Sequence, residues 1–447
     1  MTERMKAVAA AGAVAAFWLA AWVFAAALVA QPLILPGPGA VVVALLRLAC
    51  DAGTWTILAG SGARIIGGLA LAAVCGGVLA GVSVRSRTFA RLVAPALSFV
   101  KATPVACVVV LLLIWLGSAR VSIAAVFLMA LPGVYFSLVE GLAQVNKPLE
   151  QMFRLHGVRG WRLFCAHTWR EVLPFVLSCA RAVIGMSWKA GVAAELIGMA
   201  TDTVGEHIYQ AKLLIETADL LAWTVLVVAA SWACERVLVW LLRASGPVAW
   251  GAAVWAHGRA SGPAGGGVAA ELALAVGDRA PWAPALDGLV LLVPAGGRTC
   301  VMGASGVGKS TLLALAAGEC APCSMVFQDV RLVEGASALE NVLVCADARV
   351  DASSAAALLR LLVPGINVHA RVAELSGGQR RRVEIARALL CPGGAVILDE
   401  PFTGLDVAAR DACAEVVLDL LDGRMLLLAT HDAADAQALD ILDIITL

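Results

Sequence analysis

The stretch GASGVGKS, residues 303–310, decides how this sequence reads. It follows the apolar run 299–302 and precedes STLLALAAG, 310–318, a composition that favours helix. Glycines at these positions let the backbone wrap an anion and aim its N–H groups at it beside a helix N-terminus. At this spacing Lys309 reaches the β- and γ-phosphates of a nucleotide, and Ser310 supplies an oxygen to Mg²⁺. The whole loop, Gly303, Ala304, Ser305, Gly306, Val307, Gly308, Lys309, Ser310 and Thr311, is therefore the candidate ATP-binding segment.

Outward from this loop, the run 395–398 has the pattern of a short buried strand and ends in Asp399 and Glu400. Asp399 is placed to hold Mg²⁺ and Glu400 to orient or polarise the attacking water. His431 follows another strand-like run, 425–430, where it serves either as a structural histidine or as a sensor of the γ-phosphate. Gln328 follows 324–327 and reads either as an exposed glutamine or as a contact to water or metal. The short apolar strands that alternate with polar or helical stretches from about residue 268 have the rhythm of an α/β domain.

The first half is different. The chain is 61% hydrophobic and 15% charged, against roughly a quarter charged in soluble domains, so part of it must face lipid. Apolar runs at 7–28, 58–82, 92–116, 121–140, 172–197 and 220–242 are each about long enough to cross a bilayer. Lys101, Arg181, Lys189 and Glu195 fall inside these runs and are expected to face the bundle interior or a watery path, unless they snorkel at segment ends. Pro174 is expected to open the fifth span. The first run, preceded by Arg4 and Lys6, reads as a retained helix rather than a cleaved signal.

Arg85, Arg87 and Arg91 follow the second span, and Lys147, Arg154, Arg159, Arg162 and Arg170 follow the fourth. This asymmetry predicts six crossings with both termini in the cytoplasm. The Gly-, Ala- and Ser-rich stretch 244–267 reads as a linker, giving a membrane domain at 1–243 and an ATP-binding domain at 268–447. Basic and acidic residues balance at 33 each, so nothing points to nucleic acid. The twelve scattered cysteines read as buried or cytosolic thiols, and Cys320 with Cys323 lacks the second pair that a structural zinc site needs.

Four segments in order then resemble ABC-type ATPases: MVFQDVRLVEGASALENV at 325–342, LSGGQRRRVEIARAL at 375–389, AVILDEPFTGLD at 395–406 and ATHD at 429–432. LILPGPGAVVVALL at 33–46 and the segment 149–198 resemble permeases of ABC importers of the nitrate, sulfonate and taurine group. The resemblance implies an α-helical membrane bundle fused to an α/β P-loop ATPase. It further implies catalytic roles for Glu400, His431 and Gln328, with Ser310, Gln328 and Asp399 around Mg²⁺. Ser376, Gly377, Gly378 and Gln379 would complete the ATP site of a second subunit, either an identical chain or a homologous fused one. Glu150 and Gly157 match coupling-loop positions, so the helix around 149–156 is expected to dock on the ATPase near Gln328. On composition alone the same loop could lie on lipid headgroups.

Import of a small solute across the cytoplasmic membrane, from an extracytoplasmic binding protein, is what the resemblance implies. An exporter, a regulatory ATPase acting on a membrane partner, or a weakly active half of a heterodimer are the alternatives. Two departures stand out. Only 18 residues lie between Lys309 and Gln328, so the small antiparallel subdomain carried there is expected to be trimmed. The usual adenine-stacking aromatic is not evident near 271–277, with Trp282 as a substitute.

Overall fold

The structure is a computed structural model that describes residues 2–256, 272–276 and 286–447. Trp282 and most of the 257–285 stretch lie outside the described residues. The chain divides into two units, Met1–Gln144 with Val172–Ala244, and Val145–Glu171 with Ser245–Leu447.

The first unit is helical. Its elements are α1 (Thr2–Val29), α2 (Pro38–Cys50), α3 (Ala52–Arg85), α4 (Arg87–Ala102), α5 (Val105–Leu116) and α6 (Ser118–Ala143). After the excursion described below come most of α9 (Trp169–Gly198), then α10 (Val204–Leu213) and the start of α11 (Thr217–Trp255). Helices α1, α3, α6 and α11, and the helical run Gly160–Gly198 that contains α9, are long and apolar enough to cross a membrane. The expected span 92–116 is not one straight helix. It is α4 and α5 meeting at a 103° bend. The cause is Pro104: the residue before a proline is pushed out of the helical region, and Thr103 is extended at φ −74°, ψ 130°.

Close approach of α3 and α6 depends on small residues. A Cβ on Gly68 would lie 2.6 Å from the Ile123 carbonyl oxygen, and one on Gly76 would lie 2.8 Å from Val134 Cγ1. Where lipid is as apolar as leucine, such tight backbone contact is a main source of helix association. Of the charges in the apolar runs, Glu195 does face inward. It is fully buried, accepts from Ser61 Oγ at 2.9 Å and lies 3.8 Å from Arg64. Arg181 and Lys189, by contrast, lie on an open face of α9, and Lys101 is exposed in the last turn of α4.

The second unit begins within what the sequence reads as the permease. Here α7 (Lys147–Leu155), α8 (Gly160–Leu163) and a π-helical turn at Phe164–Thr168 lead into α9. Pro174, expected at the opening of a span, instead sits inside α9. The expected linker is likewise helical in its first part, because α11 continues as far as Trp255. There Trp169 Nε1 donates to Ser245 Oγ at 2.9 Å and Arg170 stacks 4.9 Å above Trp250.

The rest of this unit is α/β. A two-stranded antiparallel pair, β1 (Leu272–Ala275) and β2 (Val290–Val293), precedes β3 (Arg298–Met302), α12 (Lys309–Glu319) and β4 (Ser324–Val326). Then follow α13 (Ala338–Leu343), α14 (Ala352–Leu362), α15 (Gly377–Leu390), β5 (Ala395–Asp399), α16 (Val407–Leu420), β6 (Met425–Thr430), α17 (Ala433–Ala438) and β7 (Asp443–Thr446). Five strands form a parallel sheet in the order β4-β5-β6-β3-β7. The central strands β5 and β6 are buried at every residue, as a sheet covered on both faces requires. Strand periodicity divides them between two layers. Ile397, Leu427 and Ala429 pack into one core, and Val396, Leu398, Leu426 and Leu428 into the other. The antiparallel part is trimmed, as expected: among the described residues it is the β1–β2 pair alone, and α12 leads to β4 within a few residues.

Strand β4 lies at the edge of the sheet, and the 145–171 segment covers it. Leu149, Met152, Phe153, Val158, Leu163 and Ala166 belong to the same hydrophobic core as Leu313, Met325 and Ile397. Cys323 N donates to the Leu155 carbonyl at 3.0 Å, satisfying an edge amide. The amphipathic α7 thus buries its apolar face in the ATPase fold rather than lying on headgroups. Phe153 is completely buried, so Phe153→Ala should cost this unit about 3–5 kcal/mol. Limited proteolysis of the full chain should show the C-terminal half cut more readily than in the unsubstituted protein, and unchanged resistance would contradict this packing.

Candidate functional site

Four neighbouring strands carry the predicted residues to one end of the sheet. The loop 303–308 follows β3, Asp399 ends β5 with Glu400 next, His431 follows β6, and Gln328 lies two residues beyond β4. These are carboxyl ends of parallel strands, where α/β sheets bind ligands.

Within the loop, Gly306 and Gly308 have φ of +86° and +114°, backbone conformations that favour glycine. A Cβ on Gly303 would press on Val307 Cγ1 at 3.0 Å and the Leu447 carbonyl at 3.1 Å. Gly308 then caps α12, whose first residues are Lys309 and Ser310. The Lys309 ammonium is folded back on the loop, donating to the carbonyls of Gly303 at 2.6 Å and Ala304 at 3.1 Å. Ser305, Gly306, Gly308, Lys309, Ser310, Thr311, Gln328 and Glu400 line a cleft of about 190 Å³. The cleft brings Gln328 and Glu400 to the loop, as the sequence reading expects.

Asp399 is buried, and its Oδ1 has no hydrogen-bond partner. Burial holds its carboxyl above the usual carboxylate range, with a Ser310 hydrogen bond opposing and the neighbouring Glu400 charge adding to the rise. An orphaned buried carboxylate oxygen beside a serine hydroxyl at a phosphate loop fits an oxygen-ligated divalent cation. Glu400 sits at φ +46°, unusual for a residue with a side chain, and its amide donates to the Ala429 carbonyl at 2.9 Å. His431 Nδ1 lies 3.2 Å from Glu400 Oε1, so the histidine reaches the cleft through Glu400.

The signature residues lie apart from the cleft lining. Ser376 is the N-cap of α15 and forms a reciprocal capping box with Gln379: Gln379 N donates to Ser376 Oγ at 3.3 Å, and Ser376 N donates to Gln379 Oε1 at 3.0 Å. Ser376 and Gly377 are exposed, while Gly378 packs towards Leu405. Of the two coupling residues, Glu150 binds Arg154 within α7 at 2.7 Å. Gly157, at φ +78°, lies beside Pro322 in the shortened connection.

Sequence reasoning missed a group of buried charged or ionisable positions. Arg381, Glu384 and Arg387 fall within the segment 375–389 but carry no role in the sequence reading, yet they are 4%, 0% and 0% exposed. His156 is another. Its Nδ1 lies 2.8 Å from the Met152 carbonyl and its Nε2 lies 3.4 Å from Met325 N. A carbonyl only accepts and an amide only donates, so the proton is on Nδ1 and Nε2 accepts from β4. The i to i+3 spacing of Arg381 and Glu384 was the one visible signal.

The membrane half, residues 73–248, matches the family of binding-protein-dependent transport system inner membrane components, and residues 321–403 match the ABC transporter family. The lipoprotein-releasing system ATP-binding protein LolD of Xanthomonas axonopodis pv. citri is 35% identical over 35% of this chain and 78% of its own length. The chain belongs to the ABC transporter family. It is an integral membrane protein in which a permease is fused to a nucleotide-binding domain. The aliphatic sulfonates import ATP-binding protein SsuB of Escherichia coli K12 is 35% identical over 34% of this chain and 68% of its own. For SsuB 1 of Rhizobium johnstonii, also 35% identical over 34% of this chain, the match spans 64% of the relative's length.

Burial, aided by the charge of Arg387, pushes the His156 imidazole down to about 3 from its ordinary 6.5. A depressed folded-state value means that the unfolded chain takes up a proton first as pH falls. Stability is therefore intact above about pH 6.5 and declines below it, by about 1.4 kcal/mol at pH 5.5. Chemical denaturation of the full chain at pH 7.5 and 5.5 should show that loss in the ATP-binding unit and a smaller one in His156→Gln. Equal pH slopes in the two proteins would contradict it.

Proposed function

We propose that this chain hydrolyses ATP to drive a small solute inward across the cytoplasmic membrane, with both termini and the ATP-binding unit on the cytoplasmic side. The observation that carries the reading is the joining of two features in one polypeptide. One is a permease sequence of the binding-protein-dependent type; the other is a cleft that gathers Lys309, Gln328 and Glu400 at a phosphate loop. The relatives named for aliphatic sulfonate import make a small organic anion the first solute to test.

In the proposed chemistry, the loop amides and Lys309 bind the phosphates, with the ammonium leaving its loop carbonyls to do so. Ser310, Asp399 and Gln328 would hold Mg²⁺, which neutralises phosphate charge when bound. Glu400, oriented by His431, polarises the attacking water. The start of α15 at Ser376–Gln379, with Ser376 and Gly377 exposed and set apart from the chain's own cleft, would close the site of a second subunit by presenting a hydroxyl and helix N-terminal amides. Two such chains, supplied by an extracytoplasmic binding protein, would alternate access as ATP closes the pair, because contacts made only in the closed state shift the population.

Purified full-length protein in nanodiscs should release phosphate from MgATP, with Glu400→Gln lowering the rate at least about 100-fold while ATP is still bound. Lys309→Ala should weaken ATP binding at least about tenfold. Full turnover by the Glu400→Gln protein would refute the assigned role. Uptake of a labelled alkanesulfonate into proteoliposomes, with a candidate binding protein present, tests the direction and the solute class. Efflux without uptake would instead favour an exporter.

A further inference from the structure

Three charged side chains of α15 are buried together on the ATPase core. Glu384 accepts from Arg381 Nη1 at 3.0 Å and from Arg387 Nη2 at 3.4 Å, and all three residues are 0–4% exposed. Two arginines around one carboxylate would be a costly way to hold a helix, since apolar residues of similar volume usually do as well or better. What distinguishes this group is where its remaining donors go. Arg381 Nη1 also donates to the Phe327 carbonyl, and Nη2 donates to the carbonyls of Gln328 at 2.7 Å and Glu400 at 3.4 Å. One planar guanidinium therefore ties together the two loops that bring Gln328 and Glu400 to the phosphate cleft.

The same carboxylate also holds the backbone of Arg331. Glu384 Oε1 accepts from Arg331 N at 2.6 Å, and Arg387 Nη1 donates to the Arg331 carbonyl at 2.6 Å. Arg331 in turn reaches α7, donating to the Pro148 carbonyl at 3.2 Å and to Gln151 Oε1 at 3.3 Å. Its guanidinium also lies 3.6 Å above the Phe327 ring. Hydrogen bonds thus run without a gap from α7 through Arg331 and Glu384 to Arg381, and from there to Gln328 and Glu400.

We propose that Arg381, held by Glu384, is a positioning residue for ATP hydrolysis that fixes the spacing of Gln328 and Glu400 and registers it to the position of α7. A displacement of α7 moves the Arg331 backbone, and the buried carboxylate passes that movement to the guanidinium rather than dissipating it in solvent. The inference rests on the proposed ATP hydrolysis, and the experiment separates the two.

Full-length protein in nanodiscs is assayed with MgATP for kcat and KM and for thermal midpoint, with Glu400→Gln as the control for hydrolysis. Glu384→Leu leaves two buried guanidiniums without a counter-ion and should lower the midpoint. The double variant Arg381→Met with Glu384→Leu removes one charge of each sign, leaves Arg387 alone without a counter-ion and should regain part of the lost midpoint, while kcat stays at least about tenfold down and KM for ATP changes less than about threefold. A merely structural triad predicts that kcat returns together with the midpoint, and that result overturns the proposal. If the double variant does not fold, Arg381→Lys decides the matter. It keeps the charge beside Glu384 but cannot span both loops, so the expected result is a wild-type midpoint with reduced kcat, and wild-type kcat overturns the proposal. Absence of phosphate release from the unsubstituted protein would refute hydrolysis itself, a different outcome from any of these.

Discussion

The edge of the parallel sheet is the constraint on which the ATP-binding unit depends. An edge strand exposes amides that must find partners, and β4 finds them in the polypeptide that joins two membrane helices. Leu155 and His156 accept from Cys323 and Met325, while Met152 and Phe153 fill the space beneath. With so short a connection between α12 and β4, no local strand is available for that task. The segment 145–171, inside the permease sequence, is consequently part of the core of the ATP-binding unit.

This arrangement ties the segment 145–171 to the cleft mechanically. Gln328 lies two residues beyond β4, so whatever fixes β4 also fixes the glutamine that lines the cleft. His156 holds the strand from one side, and Arg331 meets α7 from the other. The imidazole is suited to the task because, kept neutral by burial, it can donate with one nitrogen and accept with the other. Helix α7 is thereby joined to β4 by directional bonds as well as by apolar contact.

The phosphate chemistry was the most legible part of the sequence, for a physical reason. Gly306, Gly308, Lys309, Asp399 and Glu400 owe their identities to local backbone conformation and to chemistry at strand ends, both of which leave signatures in short windows. The bend at Thr103 was also visible in Pro104, although the apolar run around it reads as one span. Hidden features were those set by tertiary burial. Only the acid three residues on separates Arg381, which is buried, from its half-buried neighbours Arg380 and Arg382. Likewise, His156 gains its role only because a distant edge strand needs an acceptor.

The central claim is that Val145–Glu171 and the nucleotide-binding domain are one cooperative unit. Amide hydrogen exchange on the full-length protein in nanodiscs, with ADP and with MgATP, addresses it directly. The account predicts that amides of 149–158 exchange as slowly as those of β4, in both nucleotide states, and that the two segments open together as denaturant is added. Rapid exchange across 149–158 while β4 and β5 remain protected would contradict it.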